Sequence, residues 1–282
     1  MAIAIDIVIP VKNRDTVEIV VETILREIEW APTVALNQIL LCDGGSTEPE
    51  CLEQIDAAGK LQGVTVLRYE QSEFNKGWLL NRGLEESTAQ IVLMSDADVL
   101  WQAEVLEAIA LHAVNYPTQI CSISNVKESQ QGTKAIRRQR YTYRIEKKET
   151  EMMVEICADR AQNDKQRPGC GIVCAQRQAF ETIGGYKEDF SGWGWEDQDF
   201  LIRAQLLGYE IATVGEVTHL SHGDAQRNSS GRAVEESRDR NILRCLESLK
   251  NGRLVGDWVQ GKPALSSHRI SVKYPHGLGA NL

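Results

Sequence analysis

The chain has 282 residues, of which 42% are hydrophobic and 25% are charged. That balance is typical of a globular protein with a sizeable core, and it excludes a disordered or fibrous chain. Asp and Glu outnumber Lys and Arg by 40 to 31, so the chain as a whole is not expected to bind nucleic acid. An anionic ligand would need a metal ion or a small cationic patch to hold it.

The apolar N-terminal segment, residues 1–11, is short and contains Asp6. It lacks the basic start and the small-residue cleavage site of a secretory signal, so we interpret it as a first β-strand. No apolar run reaches the roughly 18 to 20 residues that cross a bilayer, and no transmembrane segment is expected. Seven scattered cysteines favour free thiols in a reducing compartment, which predicts a cytoplasmic protein.

Short β-branched runs alternate with amphipathic stretches over the first 125 residues. This pattern indicates an α/β fold, with a parallel sheet and crossover helices. Most of the strand runs are continuously hydrophobic, as strands covered on both faces are. The predicted strands span residues 5–11, 38–42, 64–69, 91–95 and 119–124, and the predicted helices span residues 17–28, 49–58, 78–85 and 103–113.

The pattern changes over residues 125–169, where charged side chains are dense. We expect a long exposed helix or a mobile excursion there, with a solvated charged face favoured over an anion-binding patch. Further on, the sequence predicts a short strand over 171–175 and a helix over 196–207. Asp199 and Arg203 lie one turn apart on that helix and are expected to form a surface ion pair.

Ligands of open α/β sheets bind beyond the carboxyl ends of the strands, where this chain carries polar side chains. Asp96 and Asp98 follow the fourth predicted strand, and in a turn both carboxylates can point into one space. This arrangement suits Mg²⁺ or Mn²⁺, which prefer oxygen ligands. The alternative is that Asp96 only caps the following helix, and the local sequence leaves both interpretations open.

A second acidic pair, Glu196 and Asp197, stands at the start of a predicted helix. The partial positive charge of a helix N-terminus favours an ionised carboxylate, which can accept a proton from a hydroxyl group. The alternative is that both are simply favourable first-turn residues. His219 and His222 follow three residues apart, and they could reach one ion from a turn or a helix but not from a strand.

Taken together, these motifs resemble the glycosyltransferases of the GT-A fold, and most closely the family 2 type with a galactosyltransferase-like second half. Residues 7–14 are similar to the opening strand and loop of that family. Residues 43–47 stand where the family usually has Asp-Asp-Gly-Ser-Thr, with Gly44 in place of the second Asp. The resemblance covers roughly residues 5–225.

The second half resembles the signature of galactosyl- and N-acetylgalactosaminyl-transferring members. Gly-Gly-Tyr at 184–186 is similar to their Gly-Gly-Phe, and Gly-Trp-Gly-Trp-Glu-Asp at 192–197 is similar to their Trp-Gly-Gly-Glu-Asp. Trp195 replaces the second glycine of that signature. This departure would narrow the sugar pocket or move the backbone that approaches the acceptor.

The resemblance implies a Rossmann-like, mostly parallel sheet with flanking helices and a fused acceptor-binding half. It implies a metal-dependent inverting transfer of a hexose or N-acetylhexosamine from a nucleoside diphosphate, with UDP favoured, to a carbohydrate or glycolipid hydroxyl. Asp197 would be the base, and Glu196 would bind sugar hydroxyls. Donor contacts are implied at Pro10, Lys12, Arg14, Asp43, Asn75, Lys76, Gly77, Asn81, Asp96, Trp193 and Trp195, and ligands of Mn²⁺ or Mg²⁺ at Asp98, His219 and His222.

On this interpretation residues 1–125 bind the nucleotide sugar, residues 126–231 form the acceptor-binding and catalytic half of the same domain, and residues 232–282 form a C-terminal helix and tail.

Three alternative functions stay open. A retaining transferase on the same scaffold commonly has Asn where Asp197 stands. A nucleotidyltransferase would show a basic, Gly-rich triphosphate loop after the first strand. A non-catalytic nucleotide-sugar-binding module would be expected to lack Asp98, Asp197 or the histidines.

Overall fold

The structure is a computed structural model that describes residues 2–130, 140–159, 166–192, 194–221, 234–258 and 269–275. It contains an eight-stranded sheet with helices on both faces and a separate three-stranded sheet. Within the described ranges, no helix is both long enough and apolar enough to cross a membrane.

The first part of the chain alternates strands and helices, as the sequence predicts, and adds one short strand. These elements are β1 (Ile3–Val11), α1 (Val17–Glu29), β2 (Val34–Asp43), α2 (Pro49–Ala58), β3 (Val64–Arg68), α3 (Lys76–Glu86), β4 (Ile91–Met94), β5 (Val99–Leu100), α4 (Ala103–Asn115) and β6 (Gln119–Glu128). The later elements are β7 (Arg140–Lys147), β8 (Glu151–Asp159), β9 (Gln166–Gln176), α5 (Arg177–Ile183), α6 (Glu196–Leu206), β10 (Glu210–His219), α7 (Val234–Lys250) and β11 (Arg269–Lys273).

The large sheet has the strand order β3-β2-β1-β4-β9-β6-β10-β5. Strands β3, β2, β1 and β4 pair in parallel, and so do β6 and β10. β9 runs antiparallel to both of its neighbours, β4 and β6. The chain thus leaves the sheet after β6 and returns to fill its centre with β9, so both halves of the sequence share one sheet.

Helices cover both faces of this sheet, because its central strands bury side chains on both sides. Ile5, Ile7 and Ile9 of β1 are fully buried in one cluster with residues of α1, α2 and α4. Val8 points to the opposite face, into a second cluster with residues of α3, α5 and α6. Burying an aliphatic side chain of this size stabilises the fold by about 1.5 to 3 kcal/mol.

The expectation of a long helix in the charged stretch after residue 125 is wrong for the described residues. β7 and β8 form an antiparallel pair there, and β11 adds to β8 in parallel. Met152, Val154 and Ile156 alternate along β8 and are buried against α6 and α7 in a third cluster. Only Glu155 is charged between them, and the apolar Met153 interrupts the alternation, so the period of two typical of a half-buried strand is obscured in the sequence. Residues 131–139 and 160–165 lie outside the described part of the chain.

The ion pair between Asp199 and Arg203, predicted to lie at the surface, is fully buried in the structure. Lys187 joins it as a third member. Asp199 Oδ2 accepts from Arg203 Nε at 2.6 Å, and its Oδ1 accepts from Lys187 Nζ at 3.2 Å. All three side chains are inaccessible to solvent. Burial alone would raise the pKa of Asp199, but the charges of Lys187 and Arg203 outweigh burial and lower it.

This triad fixes α6 to its surroundings. Arg203 also donates to the backbone oxygens of Ile183 and Gly185, at 3.0 and 2.9 Å, and so holds the end of α5. Lys187 donates to the Ser248 hydroxyl of α7 at 2.5 Å. These bonds join the end of α5, α6 and α7 to one another.

We predict that Asp199→Asn lowers the free energy of unfolding by about 3 to 5 kcal/mol, because it leaves two buried cations without their carboxylate. The matched control is Asp189→Asn, since Asp189 pairs with Arg253 at the surface and should change stability by no more than about 1 kcal/mol. Denaturant unfolding at neutral pH measures both. Because the pKa of Asp199 is lowered in the folded state, its contribution is present above about pH 4 and is lost as the pH falls further.

An equal loss of stability in the two variants would contradict this account of the triad.

Candidate active site

The first two strands end in a polar groove. Lys12, just after β1, donates to the backbone oxygens of Gly44 and Gln71 at 3.0 and 2.5 Å. Asp43, the last residue of β2, is buried and accepts from the backbone nitrogen and the hydroxyl of Ser46 at 2.9 and 2.7 Å. An open cavity of about 430 Å³ lies alongside, lined by Gly45, Ser46, Thr47, Glu70, Gln71 and Ser72.

Glycine at position 44 follows from packing in this groove. A β-carbon there would lie 3.0 Å from Leu79 Cδ1 and 3.1 Å from Gln71 Oε1. Any larger side chain would therefore require these neighbours to shift. The departure from the Asp-Asp-Gly-Ser-Thr pattern thus matches the local structure.

Four charged side chains from three elements meet beyond β4. Lys76 Nζ, at the start of α3, lies 2.5 Å from Asp96 Oδ1 and 3.9 Å from Glu196 Oε1. A β-carbon on Gly171 of β9 would lie 3.2 to 3.4 Å from Lys76 Nζ, Asp96 Oδ2 and Asp197 Oδ2. Asp96 of the first acidic pair and both members of the second, about a hundred residues apart in sequence, are thus brought to one place. We call it the acidic cleft: Lys76, Asp96, Glu196 and Asp197 around Gly171.

The charges in the acidic cleft are strongly coupled. Burial would lower the pKa of Lys76, but the carboxylates of Asp96, Glu196 and Asp197 raise it overall, so Lys76 stays protonated. Burial and then the charge of Asp197 raise the pKa of Glu196 to about 7, although Lys76 opposes this rise. Glu196 can therefore gain or lose a proton near neutral pH, in contrast to an ordinary surface glutamate.

A set of buried hydrogen bonds fixes the turn that carries Asp96. The Ser95 nitrogen donates to the Val8 oxygen at 3.0 Å, and Trp101 Nε1 donates to the Ser95 hydroxyl at 2.9 Å. The alternative of Asp96 as a helix cap is wrong, since β5 intervenes and α4 begins only at Ala103. The Asp96 carboxylate instead pairs with Lys76 in the acidic cleft.

Glu196 and Asp197 occupy the first turn of α6, as the sequence predicts. The preceding Gly194 and Trp195 are both left-handed, with φ of +91° and +80°. Trp195 is only 4% exposed and lies in the third core cluster, and both its effect on a sugar pocket and its donor contact stay predictions. In the backbone, a left-handed tryptophan stands where the signature has a glycine.

Asp98 lies in a separate contact with the end of β10. Its Oδ2 is 3.5 Å from His219 Nε2 and 3.8 Å from Arg14 Nε. A carboxylate and an imidazole at this separation are suitable ligands for a divalent ion such as Mn²⁺. The described residues contain no group of three or more His, Cys, Asp or Glu side chains placed to hold a metal, and His222 lies outside them.

The predicted donor contacts on α3 have other partners in this structure. Asn75 caps the helix through the Trp78 nitrogen at 2.9 Å, and a β-carbon on Gly77 would lie 2.7 Å from the Lys187 oxygen. Asn81 is buried and exchanges hydrogen bonds of 2.8 and 2.9 Å with the Tyr186 backbone. These residues seat α3 against the segment before α6, and their donor contacts stay predictions.

Two further residues, Pro10 and Trp193, are predicted donor contacts. Pro10 is buried in β1 and pairs in register with Cys42 of β2, and its donor contact stays a prediction. Trp193 falls outside the described residues. Sequence reasoning missed Gly171, because it began the predicted strand 171–175, whereas in the structure it lies inside β9, a position where a glycine often marks a close approach of other groups.

Comparison with known proteins identifies this architecture. The chain superimposes on GalNAc-T7 with UDP, GalNAc and Mn²⁺ with a TM-score of 0.59 at 17% identity, over 87% of this chain and 48% of that one. Against S. aureus TarS with UDP-GlcNAc the TM-score is 0.59 at 13% identity, over 89% and 67% of the two chains. These likenesses establish the GT-A fold of the glycosyltransferases.

The sequence places the chain in a family. Residues 6–231 match the pattern of "Glycosyltransferase like family 2", and the chain belongs to that family. Chondroitin sulfate N-acetylgalactosaminyltransferase 2 of Homo sapiens is 28% identical over 190 residues, which cover 64% of this chain. The match covers 32% of that relative, so the chain aligns with about a third of its length.

We predict that Lys76→Gln raises the pKa of Glu196 further above 7, by roughly one unit or more, because it removes the cation that favours the ionised form. Carboxyl ¹³C NMR titration of the protein without ligands measures this shift. Lys273→Gln is the control, since Lys273 pairs with Glu155 on the three-stranded sheet. An unchanged Glu196 titration in Lys76→Gln would contradict the coupling within the acidic cleft.

Proposed function

We propose that this chain is a metal-dependent, inverting glycosyltransferase that moves a hexose or N-acetylhexosamine from a UDP-sugar to a hydroxyl of a carbohydrate or glycolipid. The observation that carries the proposal is the acidic cleft, which gathers Asp96, Glu196 and Asp197 beside Asp98. Family membership and the GT-A fold support the reaction class. The acceptor class rests on the resemblance and on the xylobiose bound to a Drosophila β1,4-galactosyltransferase 7, a fold neighbour with a TM-score of 0.51.

The donor would lie along the carboxyl ends of β1, β2 and β4. The uracil would bind in the groove beside Asp43, and Lys12 and Arg14 would face the diphosphate. Arg14 supports this role because its Nη1 is buried and has no hydrogen-bond partner among the described residues. A phosphate oxygen is a strong acceptor for such a guanidinium donor.

Asp98 and His219 would hold the divalent ion, with His222 as a further ligand. A bound Mn²⁺ or Mg²⁺ would offset the negative charge that develops on the leaving diphosphate. The side chains favour this assignment because Asp98 is buried, so its charge needs a cation nearby. Arg14, at 3.8 Å, supplies part of that compensation.

Asp197 would take the proton of the acceptor hydroxyl. The hydroxyl oxygen then bonds to the anomeric carbon, and the bond from that carbon to the diphosphate oxygen breaks, with its electron pair leaving on UDP. Attack from the side opposite the leaving group inverts the configuration. The helix N-terminus stabilises the ionised Asp197, and the Gln198 nitrogen donates to its Oδ1 at 2.7 Å.

Glu196 is a second candidate for the base, because its pKa of about 7 is matched to proton transfer at neutral pH. In the favoured scheme it instead holds a sugar hydroxyl, as donor when protonated and as acceptor when ionised. The cleft thus contains two adjacent carboxylates, of which one can act as the base while the other binds a hydroxyl.

We predict that Asp197→Asn leaves UDP binding nearly intact and lowers turnover by roughly 10² to 10⁴-fold, because the amide keeps the shape but cannot accept the proton. Calorimetry with UDP and rate measurements with an accepted sugar pair separate the two effects. Asp189→Asn is the matched control. If Glu196→Gln reproduces this loss while Asp197→Asn retains turnover, Glu196 is the base. An NMR spectrum that shows a product of retained anomeric configuration would exclude inversion.

We also predict that UDP binding requires a divalent ion and depends on Asp98. Asp98→Ala or a chelator should abolish measurable affinity, since the diphosphate would otherwise face an uncompensated acidic strand end. Calorimetric titration of UDP in excess Mn²⁺ measures this, again with Asp189→Asn as the control. Equal affinity of wild type and Asp98→Ala would refute the metal assignment.

A further inference from the structure

Glu128 is outside the residues assigned to the reaction, yet it contacts one of the proposed metal ligands. It ends β6 and lies directly opposite His219, which ends the parallel neighbour β10. Its Oε2 is 2.7 Å from His219 Nδ1 and also accepts from the Ser221 hydroxyl at 3.0 Å. The imidazole itself is only 4% exposed.

Backbone hydrogen bonds join the segments that carry Glu128, His219 and Asp98. The Ser129 nitrogen donates to the His219 oxygen at 2.9 Å, and the Leu220 nitrogen donates to the Asp98 oxygen at 2.8 Å. The ring therefore lies between Glu128 on its Nδ1 side and Asp98 on its Nε2 side, where Nε2 is 3.5 Å from Asp98 Oδ2. Its position and its orientation are both fixed.

An ionised carboxylate accepts hydrogen bonds and cannot donate them, so the Nδ1 atom that faces Glu128 must carry the hydrogen. In a neutral imidazole the lone pair then belongs to Nε2, the atom that faces Asp98. A histidine binds a metal through such a lone pair, and a carboxylate behind the ring sets the tautomer and strengthens the ligand.

We propose that Glu128 is the positioning residue of the divalent-ion site, which selects the His219 tautomer whose Nε2 faces Asp98. The inference rests on the proposed function, because it assigns His219 to the ion that the donor diphosphate would share. Glu128 itself does not touch the ion. Its role is to fix a ring nitrogen as a ligand before the ion arrives.

The first test measures metal affinity rather than activity. In Glu128→Gln the neutral amide can either accept from Nδ1 or donate to it, so it no longer selects the tautomer with an unprotonated Nε2. We expect Mn²⁺ affinity to fall by roughly 10- to 100-fold, as for other outer carboxylates of metal-bound histidines. Free Mn²⁺ is quantified by electron paramagnetic resonance at saturating UDP.

The matched control is Glu216→Gln. Glu216 lies on the same strand pair, three residues before His219, where it contacts Lys127 and Asn125 at the surface. Its replacement should leave Mn²⁺ affinity unchanged. Equal affinity in wild type and Glu128→Gln overturns the inference alone, whereas a wild type that binds no Mn²⁺ overturns the proposed metal site and the inference with it.

A second measurement needs no variant and no metal. We expect ¹⁵N NMR of the wild-type protein in alkaline buffer, where imidazole is neutral, to show His219 with hydrogen on Nδ1 and an unprotonated Nε2. A hydrogen on Nε2 would overturn the proposal. In Glu128→Gln the spectrum should show the tautomer with hydrogen on Nε2 populated as well, whereas a purely structural role of Glu128 would leave the wild-type pattern in place.

Discussion

The repulsion between carboxylates at one end of the sheet is the constraint on which the site depends. Asp96, Glu196 and Asp197 converge around Gly171, and Asp98 lies on the same turn as Asp96. Such a group is unfavourable unless cations compensate it, because like charges in a partly buried place repel strongly. Lys76 supplies that charge within the acidic cleft, and Arg14 supplies it at Asp98.

On the proposed function, the same charges would favour binding of a divalent ion and a diphosphate together at this place. In the structure, Arg14 and Lys76 pair with the carboxylates of Asp98 and Asp96. A divalent ion at Asp98 would compensate the carboxylate charge in place of Arg14. The diphosphate oxygens would then accept hydrogen bonds from Arg14. Binding of ion and nucleotide would therefore be mutually supportive, which is reciprocal coupling in the thermodynamic sense.

The rigidity behind the acidic cleft comes from a second set of charges, which takes no direct part in it. The buried triad of Lys187, Asp199 and Arg203 anchors α6 immediately after Glu196 and Asp197. A buried ion network of this kind adds little net stability relative to apolar packing, but losing one member is costly. Its structural effect is to tie α6 to the end of α5 and to α7.

The sequence alone determined the alternation of strands and helices in the first 125 residues, since continuous hydrophobic runs and helical spacing are local signals. It also determined the acidic turn after β4 and the first-turn position of Asp197, because strand ends and helix starts have local signatures. The resemblance in the second half rested on residues 184–186 and 192–197, which are likewise contiguous in sequence.

Only the tertiary structure decided which of these segments meet. The insertion of β9 between β4 and β6 depends on long-range pairing, and it is this insertion that brings Gly171 to the acidic cleft. The burial of Asp199 and Arg203 could not be read from their spacing, because the third partner, Lys187, comes from outside the helix. Likewise the pairing of Glu128 with His219 joins residues 91 positions apart. Local periodicity reports which face of an element is apolar, whereas the partner of a buried charge is set by how distant elements pack.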